Sequence, residues 1–240
     1  MEQFARAAVR AGMEHYGFSP HSPVPFDTPC NMSRDNVEVY LAEVDRIRRT
    51  FGPTKFYASM EIDYLGPQWG PAHPYFAGLP LDYRIASVHF IPAKTDPGLF
   101  VDIDGRPERF VHYMHEFFAD DIEYVVTEFY RRSTEMVEAG GFDMLGHLDK
   151  IGANASFYRL GIERESWYRD CLDTFVGGLV RNRNIAVEIN TKSLTRTGRL
   201  FPQEPVVARL LRAGVPLVVN SDTHYPDLID SGRAYALSLV

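Results

Sequence analysis

The 240-residue chain has little cysteine: Cys30 and Cys171 only, and no CxxC pair. That argues against a disulfide framework or a thiolate zinc site, and a reducing, cytoplasmic setting is expected. It also lacks long apolar runs, and no window approaches the roughly 18 residues of a membrane span. The N-terminus "MEQFARAAVRAG" carries a Glu and two Arg without a continuous apolar stretch, so it does not read as a signal peptide. Positive charge is nowhere clustered. The net charge is −7 with Lys and Arg dispersed, which speaks against a nucleic-acid surface. A small anionic substrate stays open, because a metal site can attract one locally. No GxSxG, Walker loop or GxGxxG occurs, so nucleophilic-serine and nucleotide-fold chemistries have no local signal.

What is present is an ordinary globular composition, 45% hydrophobic and 24% charged, without a second composition regime. One domain over residues 1–240 is expected. Helical spacing predicts helices over 3–11, 33–52 (capped by Ser33 or Asp35), 107–139 as one long or broken region, 164–181 and 202–214. Short apolar runs predict strands over 15–19, 55–65, 83–91, 142–149, 184–191 and 215–221, with a Gly/Pro/aromatic loop over 66–80. Alternation of this kind implies a parallel sheet, open or closed into a barrel. Chemistry in such folds gathers at the C-terminal ends of the strands.

Those ends carry the informative side chains. "SPHSP" places His21 just past strand 15–19. Strand 55–65 carries Glu61, strand 83–91 carries His89, and "GHLD" ends with His147 near its close. "LVVNSDTHYP" offers Asp222 and His224 two residues apart, which a period-2 strand would send to one side. A lone strand-end histidine is usually structural. A Glu inside an apolar strand is harder to dismiss, since a buried carboxylate needs a partner or a metal. Four His, one Glu and one Asp exceed one four-coordinate ion and suggest at least two adjacent metals. Oxygen and nitrogen donors suit Zn, Mn or Fe. His15 reads as structural, His73 as a loop residue that could overhang the site, and His112 and His115 as an ordinary helix face.

The ordered series "SPHSP", "MEID", "SVHF", "GHLDKIG", "EINT" and "NSDTHYP" resembles the polymerase and histidinol phosphatase (PHP) superfamily, in its histidinol-phosphate phosphatase branch. The resemblance runs over about residues 3 to 236. It implies an α/β fold, a distorted seven-stranded β/α barrel with up to three divalent metal ions. It implies hydrolysis of L-histidinol phosphate to L-histidinol and phosphate in histidine biosynthesis, with a metal-generated hydroxide attacking phosphorus. By the same motifs, Glu61 would bridge two metals, His89 and His147 would complete one, and Asp222 would bind the other. His21 and His224 would share the third.

Two departures stand out. The family opens with a strand carrying His-x-His, and this chain has none, so it is expected to lack the first strand and to be truncated at the N-terminus. Only the Glu61–His89–His147 metal would then keep its full protein set. Pro20 stands where the family commonly has Asp, removing a neighbour that could orient His21. For phosphate, Arg199, Lys192 and Lys150 are candidate cationic contacts, each following a strand end. Trp69, His73 and Tyr75 could cover an imidazole. Alternatives are a PHP enzyme acting on another small phosphate ester, a metal-dependent amidohydrolase, and a degenerate PHP domain that binds without catalysis. The amidohydrolase class commonly wants a strand-borne Lys, and none is found.

Overall fold

β-Branched and aromatic runs bounded by turns favour a half-buried pleated surface. In the computed structural model, which describes residues 1–181 and 184–240, they form β1 (His15–Phe18), β2 (Lys55–Asp63), β3 (Tyr83–Ser87), β4 (Phe90–Pro92), β5 (Phe100–Asp102), β6 (Met144–Leu145), β7 (Ala186–Asn190) and β8 (Leu217–Asn220). Six of these make one wholly parallel sheet in the order β1-β2-β3-β6-β7-β8. β4 and β5 form a separate antiparallel hairpin.

The helices are α1 (Glu2–Arg10), α2 (Val37–Thr50), α3 (Pro74–Ala77), α4 (Pro107–Phe117), α5 (Ile122–Ala139), α6 (Ile151–Tyr158), α7 (Ser166–Arg181), α8 (Leu194–Thr197), α9 (Glu204–Arg212) and α10 (Arg233–Ser238). α2 shows the helical logic plainly. Val37, Tyr40, Val44 and Ile47 are buried along one stripe, while charged residues fill the outer face. The Tyr40 hydroxyl lies 2.9 Å from the Phe18 carbonyl and 2.7 Å from that of Ser59, which seats the helix across β1 and β2. One apolar core lies beneath α1, α2 and β2, and a larger one where α4 to α7 pack on the sheet.

Among the described residues the sheet has six strands where the family barrel has seven, and it stays open between its edges, β1 and β8. It curls enough that both edges line one cavity of about 700 Å³. Other expectations shift locally. The 83–91 strand ends at Ser87, and residues 90–92 leave the sheet for the hairpin. The 142–149 strand keeps only Met144–Leu145. The 107–139 region is broken, with Ala119 and Asp120 at positive φ between α4 and α5. Neither Ser33 nor Asp35 caps α2. A 3₁₀ turn over Arg34–Asn36 intervenes, and no side-chain cap bond forms. α6 has no amphipathic stripe, because Gly, Ala, Asn and Ser dominate it, so its periodicity is silent.

Candidate metal centre

β2 is buried almost throughout, as a parallel strand covered on both faces must be. It carries Glu61 and Asp63 into that interior, where a carboxylate without partners costs several kcal/mol. The backbone fixes what faces Glu61. Its N–H donates to the Pro20 carbonyl at 3.0 Å, and the Ser22 N–H donates to its carbonyl at 2.9 Å. Residue 20 needs no side chain for this bracket, which holds His21 opposite Glu61 and places its Nδ1 3.4 Å from Oε2.

On the other carboxylate oxygen, three donor atoms meet. Glu61 Oε1 lies 2.8 Å from His147 Nε2 and 3.3 Å from His89 Nε2, and the two Nε2 atoms are 3.1 Å apart. Two imidazole nitrogens that close need a shared proton or a shared cation between them. These edges match the roughly 3.3 Å ligand–ligand edge of a tetrahedral site with bonds of about 2.0 Å. The three side chains are buried and form a group able to hold a metal ion.

The surroundings support that geometry. Asp63 Oδ1 lies 2.8 Å from His89 Nδ1, and Asn31 Nδ2 donates to Oδ2 at 2.8 Å. A carboxylate on Nδ1 keeps the proton there and leaves Nε2 free for a metal. Ser87 Oγ donates to Glu61 Oε1 at 2.7 Å. The His147 N–H donates to Glu188 Oε2 at 2.8 Å, and Asn190 and Asn220 amides donate to the same carboxylate. Burial would raise the Glu61 carboxyl, yet the imidazoles of His89 and His21 and the bond from His147 hold it well below the usual range. Burial would likewise depress His89, and Asp63 and Glu61 outweigh it, keeping the imidazole well above its ordinary value. The pocket therefore calls for positive charge, which a proton or a metal ion supplies. His21 is lowered, chiefly by burial, and Glu188 is raised by burial.

Asp222 sits apart from this triangle. Its backbone is left-handed at φ 44, so β8 has ended and the period-2 argument for Asp222 and His224 does not hold. Its carboxylate accepts from Asn190 Nδ2 at 3.0 Å and Lys192 Nζ at 3.1 Å, with Lys150 Nζ at 3.7 Å. Lys150 pairs more tightly with Asp104, at 2.6 Å. Burial would raise Asp222, but the two ammonium groups lower it. Asp104 is likewise pulled down to about 2 against burial, mainly by Lys150.

The expected residues thus divide. Glu61, His89 and His147 come together. His21 borders them, its ring centroid 4.9 Å from that of His89. His224 is exposed, with its centroid 6.2 Å from that of His21. Neither His21 with His224 nor Asp222 with Glu61 forms a further three-donor group among the described residues. Lys150 and Lys192 reach Asp222, but Arg199 does not. Its guanidinium is held by both Glu163 oxygens, at 2.7 and 3.0 Å, away from the cavity lining. Trp69 is buried, and His73 Nδ1 accepts from the Tyr75 N–H to cap α3. Neither lines the cavity. Sequence reasoning gave no role to Asp63, Asp104, Glu188, Asn31 and Asn190. The buried-carboxylate signal that found Glu61 was present for Asp63 in "MEID" and Glu188 in "AVEIN".

No family model matches this chain. A Deinococcus radiodurans protein assigned as a histidinol-phosphatase is 25% identical over 232 residues, covering 93% of this chain and 80% of that protein. Among solved structures, a Listeria monocytogenes protein assigned as a histidinol phosphatase superposes with a TM-score of 0.81 at 18% identity, covering 98% of this chain and 92% of its own. Histidinol phosphate phosphatase from Lactococcus lactis, solved with zinc, L-histidinol and phosphate, gives a TM-score of 0.59 at 18% identity, covering 99% and 86%. The chain therefore shares its fold with these phosphatases.

Proposed function

We propose that this chain is a metal-dependent phosphomonoesterase of the PHP type that hydrolyses L-histidinol phosphate. The observation that carries it is the Glu61–His89–His147 triangle of donor atoms at ligand spacing, on a fold shared with zinc-bound histidinol phosphate phosphatase. Glu61, His89 and His147 would hold a divalent ion, Zn, Mn or Fe, which would supply Lewis acidity toward phosphoryl oxygen and lower the pKa of water for attack on phosphorus.

The chain's own residues do the rest. Glu61 and the two imidazoles present converging lone pairs, and Asp63 fixes the His89 tautomer. Glu188 anchors the backbone of His147, which keeps its ring aimed at Glu61. Lys150 and Lys192 stand beside Asp222, where their ammonium groups can take phosphate oxygens as point charges. Asp222 lines the cavity, whose roughly 700 Å³ accommodates a small phosphate ester.

The test is phosphate release from L-histidinol phosphate by the purified 240-residue chain with Mn²⁺, beside an EDTA-treated sample and His89→Ala. Turnover that both controls abolish is expected. A folded, metal-loaded chain without turnover on this ester would overturn the assignment.

A further inference from the structure

The donor geometry and the pairing of Asp222 point to a centre smaller than the resemblance implies. We infer that this chain holds a single divalent ion, on Glu61, His89 and His147, with the Lys150 and Lys192 ammonium groups supplying at Asp222 the positive charge that a second ion would bring. The inference rests on the phosphatase reading and specifies its metal content.

The first support is the donor inventory. The one other three-donor group among the described residues is His21, Asp63 and His89. It shares His89, and its 2.8 Å contact between Asp63 Oδ1 and His89 Nδ1 is the hydrogen bond that leaves Nε2 facing the triangle. That group supports the first centre and does not form a second one.

The second support is that Asp222 is already satisfied. One oxygen takes Lys192, and the other takes Asn190 and faces Lys150. An ion bound there would have to displace an ammonium group and then sit against it, dication beside cation.

The third support is that Lys150 has little freedom to withdraw. It is the residue before α6, and its Nζ is 2.6 Å from Asp104. One turn into α6, Asn154 Nδ2 donates to the Ile103 carbonyl at 2.9 Å and the Gly105 carbonyl at 3.1 Å. The same helix therefore holds both ends of the Lys150–Asp104 pair. The Asp104 N–H donates to Asp102 Oδ1 at 2.8 Å, and the Ile103 N–H to the His89 carbonyl at 2.9 Å, which ties this loop to the metal triangle itself. Lys150 is thus a cation held in place between Asp104 and Asp222.

The test counts metal without turnover. Protein stripped with EDTA is loaded with Zn²⁺, desalted, and zinc per chain is measured by inductively coupled plasma mass spectrometry. One equivalent is expected, kept in Asp222→Asn with an affinity within about threefold and lost in His89→Ala. Circular dichroism confirms that each variant is folded, and the wild-type count stands without any variant. Two or three equivalents, with the extra zinc lost in Asp222→Asn, would overturn the inference and leave the phosphatase reading intact. No bound zinc would overturn the phosphatase reading itself. Isothermal titration of the zinc-loaded protein with inorganic phosphate reads the lysines: Lys150→Met with Lys192→Met should weaken binding at least tenfold, and unchanged affinity would remove their role.

Discussion

Replacing Asp63 by Asn tests whether the second carboxylate on β2 sets the metal affinity. The change is nearly isosteric, and the side chain is buried between two partners, His89 Nδ1 and Asn31 Nδ2, each at 2.8 Å. Asn can face them in two ways, and each leaves a defect. With its oxygen toward His89, its amide meets the Asn31 amide, donor against donor. With its amide toward His89, Nδ1 must accept, the ring proton moves to Nε2, and that proton points at the ion. Loss of such an outer partner typically costs 10–100-fold in metal affinity, or about 1.4–2.8 kcal/mol. An unpaired buried polar group adds about 1–3 kcal/mol against the apo fold. Competition for Zn²⁺ against a chromophoric chelator measures the first quantity, and urea unfolding of the apo protein the second. A zinc affinity within twofold of wild type, in a folded variant, would refute the assignment of Asp63 as the group that orients His89.

Saturating Zn²⁺ at 100 times its dissociation constant should stabilise the fold by about 2.7 kcal/mol, raising the melting temperature by roughly 5–10 °C for a chain of this size; calorimetry with and without EDTA reads this. Arg199→Leu should destabilise by about 1–3 kcal/mol, because the half-buried Glu163 loses its bidentate partner, yet leave KM for the phosphate ester unchanged. A raised KM with normal stability would instead place Arg199 on the phosphate. Gly17→Ala should cost about 1–3 kcal/mol in urea unfolding, since a Cβ would lie 1.9 Å from the Tyr83 hydroxyl. Adding Tyr83→Phe should recover only part of that, because the ring carbon bearing the hydroxyl would still be at 2.8 Å.

The legible part of this molecule is what periodicity and desolvation control. Strand–helix alternation gave the parallel sheet. The cost of burying a carboxylate singled out Glu61, and strand ends marked His89 and His147. The same desolvation argument applies to Asp63 and Glu188, which sit in equally apolar strands. Neither approaches the ion site as a direct ligand: they act through His89 and the backbone of His147, and a strand pattern does not show such indirect roles. Asp104 was illegible for a different reason. It lies beyond a hairpin of two three-residue strands, too short for a period, and its partner Lys150 is 46 positions away. Arg199 shows the opposite error. A cation after a strand end looks available for phosphate, but Glu163, 36 residues earlier on a 3₁₀ turn, has claimed it. Position along a strand says which side chains reach the active face; only the tertiary pairing says which of them are still free when they arrive. Lys150 and Lys192 are paired as Arg199 is, but the carboxylate they share, Asp222, lines the cavity, whereas Glu163 does not.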